Sequence, residues 1–241
     1  MRSYRKETVK RPIWQTACAY ARRALTLSCM AASAALGFRL HTGWAALVAI
    51  AGVPGKFQVV LRRRVELLPR GDSVPRFVYH KAAELPPPQA AELVRRAETA
   101  SEESARTAVK EVLDHLHSLA VAVKAAGIPS GSRPVPSELS AVLRSHPMIH
   151  TAEGALFQRA VTSACQSHDL AVFSVREKEV WQNAASRWNL KEQELRQQVD
   201  GLRKSVGAPW GTDQKTAMAF ALLALGEVTD AIPGRGVPAG K

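Results

Sequence analysis

Cysteine is scarce in this chain of 241 residues: Cys18, Cys29 and Cys165 are its three, and no two are spaced as a CxxC pair. That excludes a disulfide-framed small domain and a cysteine-built zinc module, and it suits a reduced, intracellular protein. Aromatic residues make up only 6% of the chain and are scattered, which excludes a base-stacking platform and an aromatic-marked repeat array. There is no Walker phosphate loop, no glycine-rich dinucleotide loop after a strand and no nucleophile elbow, and the glycines of residues 127–131 are too irregular to substitute for one. Long apolar runs are missing too. Residues 24–38 imitate the apolar part of a signal peptide but are rich in alanine and serine and fall short of the ~20 residues a spanning helix needs. Residues 44–61 are interrupted by Pro54, Gly55 and Lys56, so a membrane anchor using residues 17–61 ranks below a soluble, cytoplasmic protein.

Acidic side chains are nearly absent from one part of the chain. Residues 1–64 carry 12 basic side chains and a single acid, Glu7, whereas the remainder carries 21 basic and 20 acidic. The formal net charge of +12 is therefore concentrated near the N-terminus, and most of the chain is electrostatically ordinary. Seven of the basic residues precede Met30, a plausible alternative start. We read residues 1–35 as a basic N-terminal extension, residues 36–226 as one folded domain and residues 227–241 as a flexible tail.

What is present has clear periodicity. Residues 43–51 form a short continuous apolar run, as in a buried strand. From Phe57 the pattern alternates: Phe57, Val59, Leu61, Val65 and Leu67 fall on one face and Gln58, Arg62, Arg64 and Glu66 on the other, with Arg63 as the misfit. Residues 76–82 are expected to add a third strand, completing an antiparallel meander. Pro86, Pro87 and Pro88 open a long helix to about Leu116. Then come a strand over 119–125, a loop over 127–131, a short helix over 136–144, a helix over 149–167 and a strand over 170–175. Two polar helices separated near Asn189 occupy 177–205. The last helix, 213–225, is expected to stop at Gly226. This order implies an α/β fold, a mixed five-stranded sheet with helices on its faces.

The order resembles the ribonuclease H-like superfamily, with local texture similar to its Holliday-junction-resolvase branch. The resemblance rests on Thr42-Gly43-Trp44-Ala45-Ala46-Leu47, on Glu153-Gly154-Ala155-Leu156-Phe157 leading to Leu170-Ala171-Val172-Phe173, and on Pro209-Trp210-Gly211-Thr212-Asp213-Gln214-Lys215 running into an alanine-rich helix. It implies a carboxylate cluster holding two divalent cations, Mg2+ or Mn2+. Only Asp213 has a clear counterpart. The stretch Gly37-Phe38-Arg39-Leu40-His41 contains no acid, and the fourth strand offers Lys124 where a carboxylate is expected, so the acidic cluster is degenerate.

The leading expectation is therefore a bacterial-style domain that binds or scaffolds without catalysis, with nucleic acid as partner and a homodimer as its form. The alternative is a nuclease using Glu66, Glu153 and Asp213 with Mg2+ or Mn2+. Arg62, Arg64 and Lys215 are the candidate phosphate contacts, opposed by the plainer reading of a solvated charged face. His146, His150 and Glu153 follow an i, i+4, i+7 spacing that on one helix offers metal ligands, chiefly His150 and Glu153. Pro147 favours the first helical position and would leave His146 at the cap, so the three are not expected to converge. His115 and His117, two apart on a helix, point different ways. Trp210 is expected to be a packing anchor.

Overall fold

The computed structural model describes residues 33–53, 56–69, 71 and 74–230. Three strands come first: β1 (Ser33–His41), β2 (Trp44–Val53) and β3 (Lys56–Glu66). Then follow α1 (Val78–Ala82), α2 (Pro87–Ser118), β4 (Ala122–Pro129), α3 (Leu139–Leu143), α4 (His146–Gln166) and β5 (Ala171–Val175). After a 3-10 turn (Glu177–Glu179) come α5 (Val180–Arg187), α6 (Glu192–Gly201), α7 (Arg203–Val206) and α8 (Thr212–Asp230). The sheet order is β3-β2-β1-β4-β5, with β1–β2 and β2–β3 antiparallel and β1–β4 and β4–β5 parallel. This is the mixed five-stranded sheet expected, with the antiparallel strands first in the chain.

The strands of the meander are not the ones the periodicity suggests. Its first strand is β1, the segment that reads as the end of a signal-like run, and residues 76–82 contribute the short helix α1 instead of a strand. Val78, Tyr79 and Ala82 bury one side of that helix, and the Glu153 carboxylate accepts hydrogen bonds from the Tyr79 and His80 backbone N–H groups at 2.8 and 3.4 Å. A distant side chain thus satisfies donors that local sequence does not, which favours the helical turn. A tight turn at Thr42-Gly43, with Gly43 at φ 78°, joins β1 to β2.

The alternation along β3 is broken by an irregularity. Leu61 pairs with Ala49 but Val59 pairs with Ile50, so Val60 is the extra residue of a bulge. Phe57 and Val59 therefore pack on the side that α8 covers, while Leu61 and Val65 pack on the side of α2 and α4. Gln58, opposite Ala51, and Arg62, opposite Val48, face opposite ways instead of sharing a face.

The sheet separates two cores. On one side Leu36, Phe38, Leu47, Ala126 and Ile128 meet α2 and α4; on the other Ala35, Ala46, Val48, Ile50 and Ala125 meet α5, α6 and α8. From Ala217 to Leu225 no residue is more than 4% exposed, so α8 is apolar all round because it is buried all round. Two glycines let its backbone lie directly on the sheet. A Cβ on Gly37 would stand 1.9 Å from the Ala217 carbonyl oxygen, and one on Gly127 2.0 Å from that of Phe220. Gly127 is thus a strand position and not the loop its sequence surroundings suggest. Nor does Gly226 end α8: a Cβ there would lie 3.1 Å from Arg187 Cβ, so this glycine marks close helix packing inside a helix that continues to Asp230.

Three helices end with a non-glycine residue at positive φ: Ala120 after α2, Asp169 after α4 and Asn189 after α5. Each closes a Schellman motif, as in the bonds Val121 N–H to Leu116 O (3.0 Å) and Ala120 N–H to His117 O (2.9 Å). The break near Asn189 is where the sequence places it. Residues 33–53, part of the conjectured membrane hairpin, are strands of this sheet, and no helix among the described residues is long and apolar enough to cross a membrane. The basic extension up to residue 32, the alternative start at Met30 and residues 231–241 lie outside the described residues.

Candidate functional site

The end of β1 and the start of α8 meet at one corner of the sheet. By count from the pairing of Gly37 with Gly127, Arg39 of β1 corresponds to Pro129, at the end of β4. Lys124 is elsewhere: it sits at a register shift between the Ala34–Val123 and Ala35–Ala125 pairs, exposed and near the opposite end of β1. The β1–β4 pairing itself ends at Gly37 and Gly127, and by count the residue two further along β4 is proline, not a carboxylate.

Arg39 fills the corner. Its Nη1 donates to Asp213 Oδ1 at 2.5 Å, and its Nε and Nη2 reach Glu177 Oε1 at 3.1 and 3.0 Å. The Nε2 of His41 lies 3.0 Å from the same Asp213 oxygen. Its ring stacks on Trp44, centroids 4.1 Å apart and 5° from parallel. The Arg64 guanidinium covers Trp44 at 3.8 Å and donates through Nε to Glu66 at 2.8 Å. Glu177, Arg39, Asp213, His41, Trp44, Arg64 and Glu66 thus form one continuous network, held by charge-assisted hydrogen bonds and stacking.

The residues present do not fit a pair of hard divalent cations. Such ions need several carboxylate or carbonyl oxygens, whereas Asp213 is already bound by a guanidinium that cannot lose its charge. A dication placed ~4 Å from Arg39 would be repelled by roughly 8 kcal/mol at an effective dielectric of about 20, which cancels the attraction of one carboxylate at the same distance. Glu66, Glu153 and Asp213 are not brought together: Glu66 holds Arg64, Asp213 holds Arg39, and Glu153 supports α1.

The candidate phosphate contacts are also engaged within the chain. Arg62 donates to the carbonyls of Gly207 (2.8 Å), Ala208 (2.9 Å) and Pro209, and partial burial lowers its pKa from the ordinary value. It serves as a clamp on the segment leading into α8. Lys215 pairs with Asp200 at 2.7 Å, and Arg63 with Glu111 of α2 at 2.8 Å. Trp210 is a packing anchor, buried with its Nε1–H donating to Val199 O at 2.8 Å.

A second cluster lies on the α2/α4 side. The helix α4 begins at His146 with Pro147 second, so His146 and His150 stand one turn apart on the same helix and their rings approach to 4.5 Å between centroids. His80, on α1, comes within 4.7 Å of His150 and 5.7 Å of His146. Beneath them Glu153 Oε1 lies 3.3 Å from His80 Nδ1. Two of the sequence candidates, His146 and His150, therefore converge, and the third member is His80 rather than Glu153. His80 was missed because residues 76–82 read as a strand and His80 lies 66 positions before His146. Nearby, burial raises the pKa of the Tyr79 hydroxyl, against the opposing effect of Arg159. Burial also pushes the Cys165 thiol up to about 12.

No known family pattern matches the chain, and no curated protein matches it. Among solved structures it is similar to Thermus thermophilus RuvC, alone and in complex with a Holliday junction substrate. Each shares 15% identity, covering 82% of this chain and 96% of that chain, with a TM-score of 0.48.

Proposed function

We propose that this is a nucleic-acid-associated ribonuclease H-like domain that binds or scaffolds its partner without cutting it. The ion pair between Arg39 and Asp213 carries this reading. It sets a permanent cation against the one carboxylate that the superfamily resemblance assigns to the metal cluster, and β4 (Ala122–Pro129) carries no carboxylate to supply another. The nucleic-acid part is supported by that resemblance and by charge: twelve basic residues against one acid over residues 1–64. Because Arg62, Arg64 and Lys215 have intramolecular partners, the reading assigns backbone contact chiefly to the remaining basic residues of this region.

The test is a pair of assays on the full chain with branched and linear duplex DNA. Fluorescence anisotropy is expected to show binding that weakens steeply with salt, with comparable affinity for Asp213→Asn. Incubation with Mg2+ or Mn2+ is expected to leave both DNAs intact. Metal-dependent cleavage abolished by Asp213→Asn would overturn the non-catalytic reading in favour of a nuclease, and salt-insensitive or absent binding would overturn the nucleic-acid one. A cytoplasmic homodimer completes the proposal; light scattering at micromolar concentration checks the dimer, and fractionation checks the compartment.

A further inference from the structure

We propose that His80, His146 and His150 form a binding site for a zinc-class transition-metal ion, with Glu153 orienting His80 from behind. The inference does not depend on the nucleic-acid reading and concerns the opposite side of the sheet from α8.

One donor atom from each imidazole lies within 4.8 Å of the other two, and among the described residues this is the single group of three or more such side chains that converges so closely. A tetrahedral zinc ion with bonds of 2.0–2.1 Å needs nitrogens about 3.4 Å apart. The largest gap must therefore shrink by at most about 1.4 Å. His146 and His150 are exposed, so ring rotations can close it without disturbing the core. The three rings meet edge to face, 67–86° between planes, so they are splayed around a common point rather than stacked.

Glu153 is the second observation. Its side chain is only 6% exposed, and its Oε2 is buried without a hydrogen-bond partner. An unpaired buried carboxylate oxygen is costly, and a nearby cation offsets that cost. Its other oxygen faces His80 Nδ1, so a proton held there makes Nε2 the ring nitrogen with a free lone pair. Carboxylate, imidazole and metal in sequence is the arrangement by which proteins fix the tautomer of a metal-binding histidine and raise its basicity.

The donor set selects the ion. Three neutral nitrogens suit Zn2+, Co2+, Ni2+ or Cu2+ and do not suit Mg2+, which requires oxygen ligands. Three protein ligands leave a fourth position. His80, His150 and Glu153 line a cleft of about 210 Å3 that also reaches Leu40, His41 and Thr42, so that position faces a space a water or an anion can enter. A metal there would also tie α1 to α4.

The experiment uses the full chain. Calorimetric titration with Zn2+ is expected to give one site of micromolar affinity or tighter, with a melting temperature raised by several degrees at saturation, about 3–10 °C. Mg2+ is expected to do neither. Co2+ should give the intense visible absorption of a tetrahedral nitrogen site. The double variant His146→Ala/His150→Ala changes exposed positions only and should fold; it is expected to lose the site and the cobalt spectrum. Glu153→Gln is expected to weaken binding about 10–100-fold while the cobalt geometry persists. Zinc binding unchanged in the double variant, or a wild type that neither binds Zn2+ nor gains thermal stability with it, would overturn the proposal.

Discussion

Replacing Gly37 by alanine tests how α8 is seated. The new Cβ would stand 1.9 Å from the Ala217 carbonyl oxygen and 2.3 Å from the Ala221 nitrogen, both backbone atoms of a helix that cannot rotate out of the way. Contacts of this kind do not fall below 3.0 Å, so helix and strand must separate by about 1.1 Å at that point. A radial gap of 0.5–1 Å forfeits a quarter to a half of the dispersion attraction per contact, here along the fully buried run from Ala217 to Leu225. Overpacking of a tight core usually costs about 1–3 kcal/mol, and a clash between two backbones belongs at or above the top of that range. We expect a loss of about 3 kcal/mol or more. That corresponds to roughly 6–12 °C in Tm for a domain of this size. Gly127→Ala, 2.0 Å from Phe220 O, should behave alike. The control is Gly154→Ala: it lies in α4 with nothing within 4 Å of the added Cβ, so helix propensity should make it stabilising by about 0.5–1 kcal/mol. Thermal and urea denaturation of the three variants measure this. Equal effects at Gly37 and Gly154, or a Gly37→Ala Tm within 2 °C of wild type, would refute the seating described.

Ala120 holds a left-handed C-terminal cap at φ 58°, so Ala120→Gly should raise stability by about 0.5–1 kcal/mol, read as a shift in urea midpoint at constant m-value. Arg62→Ala removes three hydrogen bonds to the 207–209 carbonyls and should cost about 1–3 kcal/mol, with faster limited proteolysis near residue 208; Arg62→Lys should recover little, because an ammonium cannot span that fork. Cys165, with its thiol pushed up to about 12 by burial, should resist alkylation at pH 8 in native protein and react once unfolded, followed by mass mapping of its peptide. A folded pKa raised above the unfolded value means that this contribution is intact below about pH 9 and is lost as pH rises towards 12, so stability should decline over that alkaline range.

Much of the fold was legible in sequence because it rests on local periodicity. The long helix after the proline triplet, the alternating strand after Phe57, the strand at 170–175 and the break at Asn189 all follow from patterns that need no partner. The errors arose where a distant element decides. Residues 78–82 are helical with the help of Glu153, 74 positions from Tyr79, which takes the backbone N–H groups of Tyr79 and His80. Gly127 and Gly226 look like loop and stop signals, yet at Gly127 the Phe220 carbonyl occupies the Cβ position and at Gly226 the Arg187 side chain leaves it little room. The bulge at Val60 turned Arg62 from the face of Gln58 to the α8 side, a change that period-two reasoning cannot detect.

For the candidate site the division is similar. Sequence by itself determined that no acid stands in Gly37–His41 and that positive charge crowds the first 64 residues. It also determined the i, i+4 spacing of His146 and His150. Only the tertiary structure decided that Arg39 binds Asp213, that Lys124 lies near the opposite end of β1, and that His80 completes the imidazole group. Composition and spacing are properties of the chain, whereas these juxtapositions depend on strand register and on which helix covers which face, contacts between residues tens to hundreds of positions apart.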